Sequence, residues 1–195
     1  MARVKLTDDL KKAISGLSHK EKDKLLFRLI AKEPILAEQL VFKLLESGTS
    51  AEDRRADLAK EIQQFLSDYQ QYYYSPGYLL LELRNISGKI TQHVKTTKDK
   101  YGEIALNFTM LNSALELFGK KINSVRPHRA QTLNKYVVNR AIKLIGLVRK
   151  IHEDYRLDFS DALMTLGQHI EGVESMRKLA DNFELEWEVL GSGEV

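Results

Sequence analysis

Glu171 and Glu174 stand three residues apart, a spacing that puts two carboxylates on one face of a helix, where they could hold a hard divalent cation such as magnesium. After Glu174 the next carboxylates at that spacing are Asp181-x-x-Glu184, close along the chain and in the order Asp then Glu. The plain alternative is a pair of solvated acids on an outer face. The histidines, His19, His93, His128, His152 and His169, fall singly on different predicted helices. None has a Glu three residues before it, so the inward Glu-x-x-His pairs of a di-iron bundle are missing. The chain has no cysteine, which excludes thiolate zinc sites, cysteine nucleophiles and disulfides. It has neither a Gly-x-Ser-x-Gly elbow nor a glycine-rich phosphate loop ending in Lys.

Cations offer a second chemistry. Residues 120–156 carry ten Lys or Arg against Glu153 and Asp154, whereas residues 157–195 carry nine acids against Arg177 and Lys178. The overall charge of +3 therefore conceals a basic segment beside an acidic one. On a helical wheel Arg129, Arg140, Lys143 and Lys150 form one stripe, with Arg126 near its edge. Such a stripe could contact phosphates of nucleic acid independently of base sequence, with strong salt dependence. It could equally be a solvated face neutralised by the acidic last helix.

Aromatic residues mark a third place. Five of the eight tyrosines lie between Tyr69 and Tyr78, around a Ser-Pro-Gly break. Tyr69 and Tyr72 continue the apolar seam of the preceding helix, Tyr73 lies one turn beyond Tyr69, and Tyr78 sits beside the start of the next seam. Their rings are expected to pack the end of a helical hairpin, with Tyr74 facing outward and an aromatic recognition surface as the alternative. In the tail, Phe183, Leu185, Trp187 and Val189 alternate with glutamates. That is strand periodicity, which would call for strand addition to a partner, but the same stretch also fits a frayed helix end laying Trp187 on the bundle.

The elements that must position these groups are helices. Ser18 and Glu21 form a capping box before Leu25, Leu26, Leu29 and Ile30, and Pro34 opens a second short helix. This pair reads as a HEAT-like hairpin over residues 1–48, with no second copy of the unit along the chain. Ser50 caps a helix to about Tyr74 carrying Leu58, Ile62, Phe65, Tyr69 and Tyr72. Ser75 and Pro76 open the next, with Leu79, Leu83, Ile86, Ile90 and Val94. A third runs from Tyr101 to Val125, a fourth from Pro127 to about Tyr155, and a fifth from Phe159 to about Phe183 through Leu163, Leu166, Ile170, Val173, Met176 and Leu179. The expected fold is all-α, an antiparallel bundle of about five long helices over residues 49–195 behind the hairpin. Gly88, next to Ser87, is expected to let a neighbouring helix approach closely. Asn85, Lys89, Gln92 and His93 form a polar patch beside it. Neither a signal-peptide core nor a run of apolar residues long enough to cross a membrane is visible, so a cytoplasmic protein is expected.

Glu-x-x-Glu on a helix is the arrangement by which all-helical nucleoside triphosphate pyrophosphohydrolases hold magnesium. The stretches EKDKLLFRLIAKEP and YSPGYLLLELRNISGKITQHVKTTKDKYGEIALN resemble a group of small all-helical bacterial proteins of unsettled function, some labelled dUTP nucleotidohydrolase. The likeness covers about half the chain. It implies magnesium on carboxylate pairs, of which this chain has only the first, and it carries no residue over. The reading preferred from the residues is a non-enzymatic interaction module without cofactor, binding a protein partner or a second copy of itself through Tyr72, Tyr73, Tyr74, Tyr78 and Trp187. A magnesium-dependent hydrolase on Glu171 and Glu174, and phosphate-backbone binding by the basic stripe, are the alternatives.

Overall fold

Serine caps and prolines place several of the helix starts, and Thr7 and Asp99 cap two more. The computed structural model describes residues 5–46 and 50–195. Contacts divide the chain into two units, Met1–Ser47 and Gly48–Val195.

In the first unit, α1 spans Asp8–Ser15, α2 His19–Ile30 and α3 Pro34–Leu44. The box at the start of α2 is closed in both directions: the Glu21 amide donates to Ser18 Oγ, and the Ser18 amide donates to Glu21 Oε2 at 3.0 Å. Those bonds satisfy amides that the first turn leaves without intrahelical partners. Leu26, Phe27 and Leu29 nevertheless stay exposed, and no described residue of the three helices is buried.

The second unit is an all-helical bundle. It comprises α4 (Ala51–Tyr69), α5 (Pro76–Thr97), α6 (Lys100–Asn123), α7 (Pro127–Val148), α8 (Ser160–Glu171), α9 (Glu174–Asn182) and α10 (Trp187–Ser192). Ser50 and Asp53 form a second capping box, and Ser75 caps α5 with Pro76 in its first turn. The hub is α6, which packs against α4, α5, α7 and α8. Its three-four pattern of Ile104, Phe108, Leu111, Leu115, Phe118 and Ile122 is buried as expected. Leu106, Met110 and Ala114, off that stripe, are buried too, because neighbours cover the helix on more than one side.

Three helices differ from the expected ones. α4 stops at Tyr69, where Gln70–Tyr72 tighten into a 3₁₀ turn, and its seam runs through Ile62 and Leu66 with Phe65 partly outside. α7 ends at Val148 and gives way to short turns. The fifth helix is two. Val173 is extended (φ −110°, ψ 99°) after Gly172, and the first amide of α9, on Glu174, donates to Asn123 Oδ1 at 3.2 Å. The tail is helical from Trp187, and no strand occurs among the described residues.

α10 lies on α8, and the contact depends on a glycine. A Cβ at Gly167 would stand 2.9 Å from Leu190 Cβ and 3.1 Å from its carbonyl oxygen. Gly88 has no such role. A Cβ there meets nothing within 4 Å, so the expected close helix approach is absent at that position. The neighbouring Ser87 is the residue that faces α7, through its hydroxyl.

Candidate functional sites

The Glu171 and Glu174 side chains open into different clefts, because the helix break rotates one relative to the other. Glu171 lines a cleft of about 320 Å³ together with Arg177, Asp181 and Trp187. Glu174 lines another of about 540 Å³ with His128, Asn134, Lys178 and Asn182. Lys178 Nζ holds the Glu174 carboxylate at 2.7 Å, and that hydrogen bond keeps its carboxyl below the usual carboxylate range. Among the described residues no three His, Asp or Glu side chains gather as a cation would require.

The tyrosines separate into two environments. Tyr69 and Tyr73 pack inward on Phe118, Tyr73 stacked on it with centroids 5.2 Å apart. Burial pushes the Tyr73 hydroxyl pKa up. Tyr72, expected on the seam, is instead exposed, since the 3₁₀ turn after Tyr69 breaks the helical phase that would have carried it inward. Tyr74 and Tyr78 are exposed and meet edge to face at 5.4 Å. Trp187 is half-buried and donates its indole N–H to Asp181 Oδ1 at 2.8 Å.

The basic stripe of α7 does not act as one unit. Arg126 and Arg129 lie near its start, both exposed, and Lys150 lies just past its end. Between them, Arg149 is engaged by both Glu186 oxygens, one at 2.8 Å, so the acidic tail neutralises that position. Arg140 and Lys143 instead converge with residues outside the stripe. They line an open depression of about 410 Å³ with Arg84 from α5 and with Thr132, Lys135, Tyr136 and Asn139. Lys143 Nζ pairs with Glu103 at 3.0 Å. Arg140 pairs with no carboxylate among the described residues: its Nη2 donates to Tyr136 Oη at 3.0 Å and to Ser87 Oγ. Arg84 and Lys135 were not singled out from the sequence, because nothing in the α5 pattern shows that Arg84 faces α7.

The polar patch around His93 disperses. His93 turns inward, Lys89 pairs outward with Glu61, and Asn85 donates to Glu82. Inside, His93 Nε2 lies 3.4 Å from Asp99 Oδ2, and Arg55 Nη1 donates to the same oxygen at 3.0 Å. Asp99 Oδ1 caps α6 by accepting from the Gly102 amide at 2.7 Å. The Arg55 guanidinium also sits 4.7 Å from the Tyr101 ring. One carboxylate thus ties α4, α5 and α6 together, and none of the clefts described above reaches it. That is the geometry of a structural ion cluster.

Compared with protein-family models, with curated proteins and with solved structures, the chain finds no match. Function therefore has to be argued from these surfaces. None of the helices among the described residues is long and apolar enough to cross a membrane.

Proposed function

We propose that this chain is a non-enzymatic helical interaction module, and that its Met1–Ser47 unit is the part that seats on another protein chain. The observation that carries the reading is the state of the apolar residues there. Leu10, Ile14, Leu26, Phe27, Leu29, Leu44 and Leu45 are all exposed, although they recur at helical spacing. Apolar side chains placed with that periodicity are ordinarily buried, and so many left in water within one small unit mark an interaction surface. A unit of this size also has too little core to be stable by itself. The exposed Tyr74 and Tyr78 pair offers a second, smaller anchor of the residue type that interfaces favour.

The test is sedimentation velocity on the full chain, combined with affinity capture from lysate at high salt after nuclease treatment. The wild type is expected to self-associate or to retain a stoichiometric protein, and Leu26→Glu with Leu29→Glu is expected to abolish that state while the bundle melts unchanged. A chain that stays monomeric and captures nothing, or a double variant indistinguishable from wild type, would overturn the reading.

A further inference from the structure

We propose that the depression between α5 and α7, walled by Arg84, Lys135, Arg140 and Lys143, binds a small phosphate-bearing anion, with the Arg140 guanidinium as its central donor. The site uses no residue of the Met1–Ser47 unit, so it stands or falls apart from the interaction surface proposed there.

Arg140 is built into place. The Tyr136 hydroxyl donates to the Leu83 carbonyl at 3.3 Å and lies 2.7 Å from Ser87 Oγ, which leaves oxygen lone pairs of both hydroxyls turned to Arg140 Nη2. The guanidinium also lies 5.3 Å from the Tyr136 ring. Only Nη2 is used. Nε and Nη1 donate to no described protein group, so N–H donors of a held guanidinium stay available to a ligand. A pre-oriented, permanently charged donor of this kind suits an oxygen of a phosphate group.

Around it the charges are unbalanced. Four cations line the depression, and among the described residues the one carboxylate paired with any of them is Glu103, on Lys143. Arg84 has no ion-pair partner among the described residues, and Lys135 lies only over the Phe183 ring, at 5.9 Å. Thr132 and Asn139 add neutral hydrogen-bonding groups at the rim. The excess of about three positive charges suits a phosphate dianion or a diphosphate.

The shape favours a small ligand over a nucleic-acid strand. The residues from Thr132 to Lys143 span about 16 Å of helix, and a volume near 410 Å³ lies within the range of small-molecule sites. Arg126, Arg129 and Lys150 fall outside it, and Arg149 is already neutralised by Glu186. A strand following the whole stripe would meet a gap.

Isothermal titration of the full chain with inorganic pyrophosphate and, separately, with AMP tests the proposal. Saturable one-to-one binding of at least one probe is expected, and the tighter of the two tells a bare phosphate group from a nucleotide. Arg140→Gln should weaken it by about tenfold or more. The double variant Arg84→Gln with Lys135→Gln should do the same with an unchanged melt, because both side chains are exposed and unpaired; it decides the matter if Arg140→Gln fails to fold. Arg129→Gln with Lys150→Gln should leave binding as it was. Absence of saturable binding to either probe, equal loss in the Arg129 and Lys150 variant, or tighter binding of a single-stranded oligonucleotide that this variant abolishes would each overturn the proposal.

Discussion

Phe27 and Phe118 are the same residue type in helices of similar apolar periodicity, yet the first is 66% exposed and the second fully buried. The difference between the two units is therefore not one of local sequence. α6 is surrounded by four other helices, so its apolar residues find neighbours on several sides. α2 has the caps and the stripe of a stable helix, but none of its residues is buried. Local rules make a helix in both places, and only long-range packing makes a core.

The largest effect expected from breaking this contrast comes from the pair of phenylalanines. Phe118→Ala should cost about 3–5 kcal/mol in urea unfolding of the bundle, since it removes a buried ring and leaves a cavity. Phe27→Ala should stay within about 0.5 kcal/mol on the same transition. Equal losses would mean that the first unit is part of the folded core.

The Asp99 cluster comes next. Asp99→Ala leaves Arg55 and His93 without their shared carboxylate and removes the cap of α6, an expected loss of about 3 kcal/mol. The conservative Asp99→Asn should recover part of it, and a thermal melt resolves the two.

Two glycines sharpen the comparison inside the bundle. Gly167→Ala forces a Cβ against Leu190 and should destabilise the chain by about 1–3 kcal/mol, with α10 lifted from α8 and the half-buried Trp187 more exposed to a fluorescence quencher. Gly88→Ala meets open space in a helix interior and should stabilise by about 1 kcal/mol. A loss at Gly88 would mean that its surface is covered by something else.

The smallest effect is one of pH. Burial lowers the His169 pKa below the usual value near 6.5, against a weaker opposing pull from Glu116. The unfolded chain therefore takes up this proton more readily than the folded one. The contribution is fully present above pH 6.5 and is lost as pH falls from there through the folded pKa. His169→Gln should flatten that part of the melting temperature profile.

Several site residues were legible one at a time. Arg140 and Lys143 stood out on the α7 wheel, and Tyr74 read as outward-facing. Arg84 did not, because no pattern along α5 says which helix it will meet across about 50 residues of chain. The pairing of Glu171 with Glu174 misled for a related reason. Periodicity ran on through Gly172 and Val173, but the bend there depends on the burial of Val173 and on the Asn123 side chain that accepts the next amide.

By itself the sequence determined that this chain is helical and where its longest helices start, because caps, prolines and three-four spacing act within one or two turns. It also determined that cysteine chemistry is excluded, because composition alone decides that. Tertiary structure alone decided that α6 is enclosed on several sides, that Arg140 is held by Tyr136 and Ser87 in one depression with Arg84, and that Phe27 and its neighbours are exposed. Those outcomes depend on groups far apart in the chain meeting in space, and no local spacing encodes such a meeting.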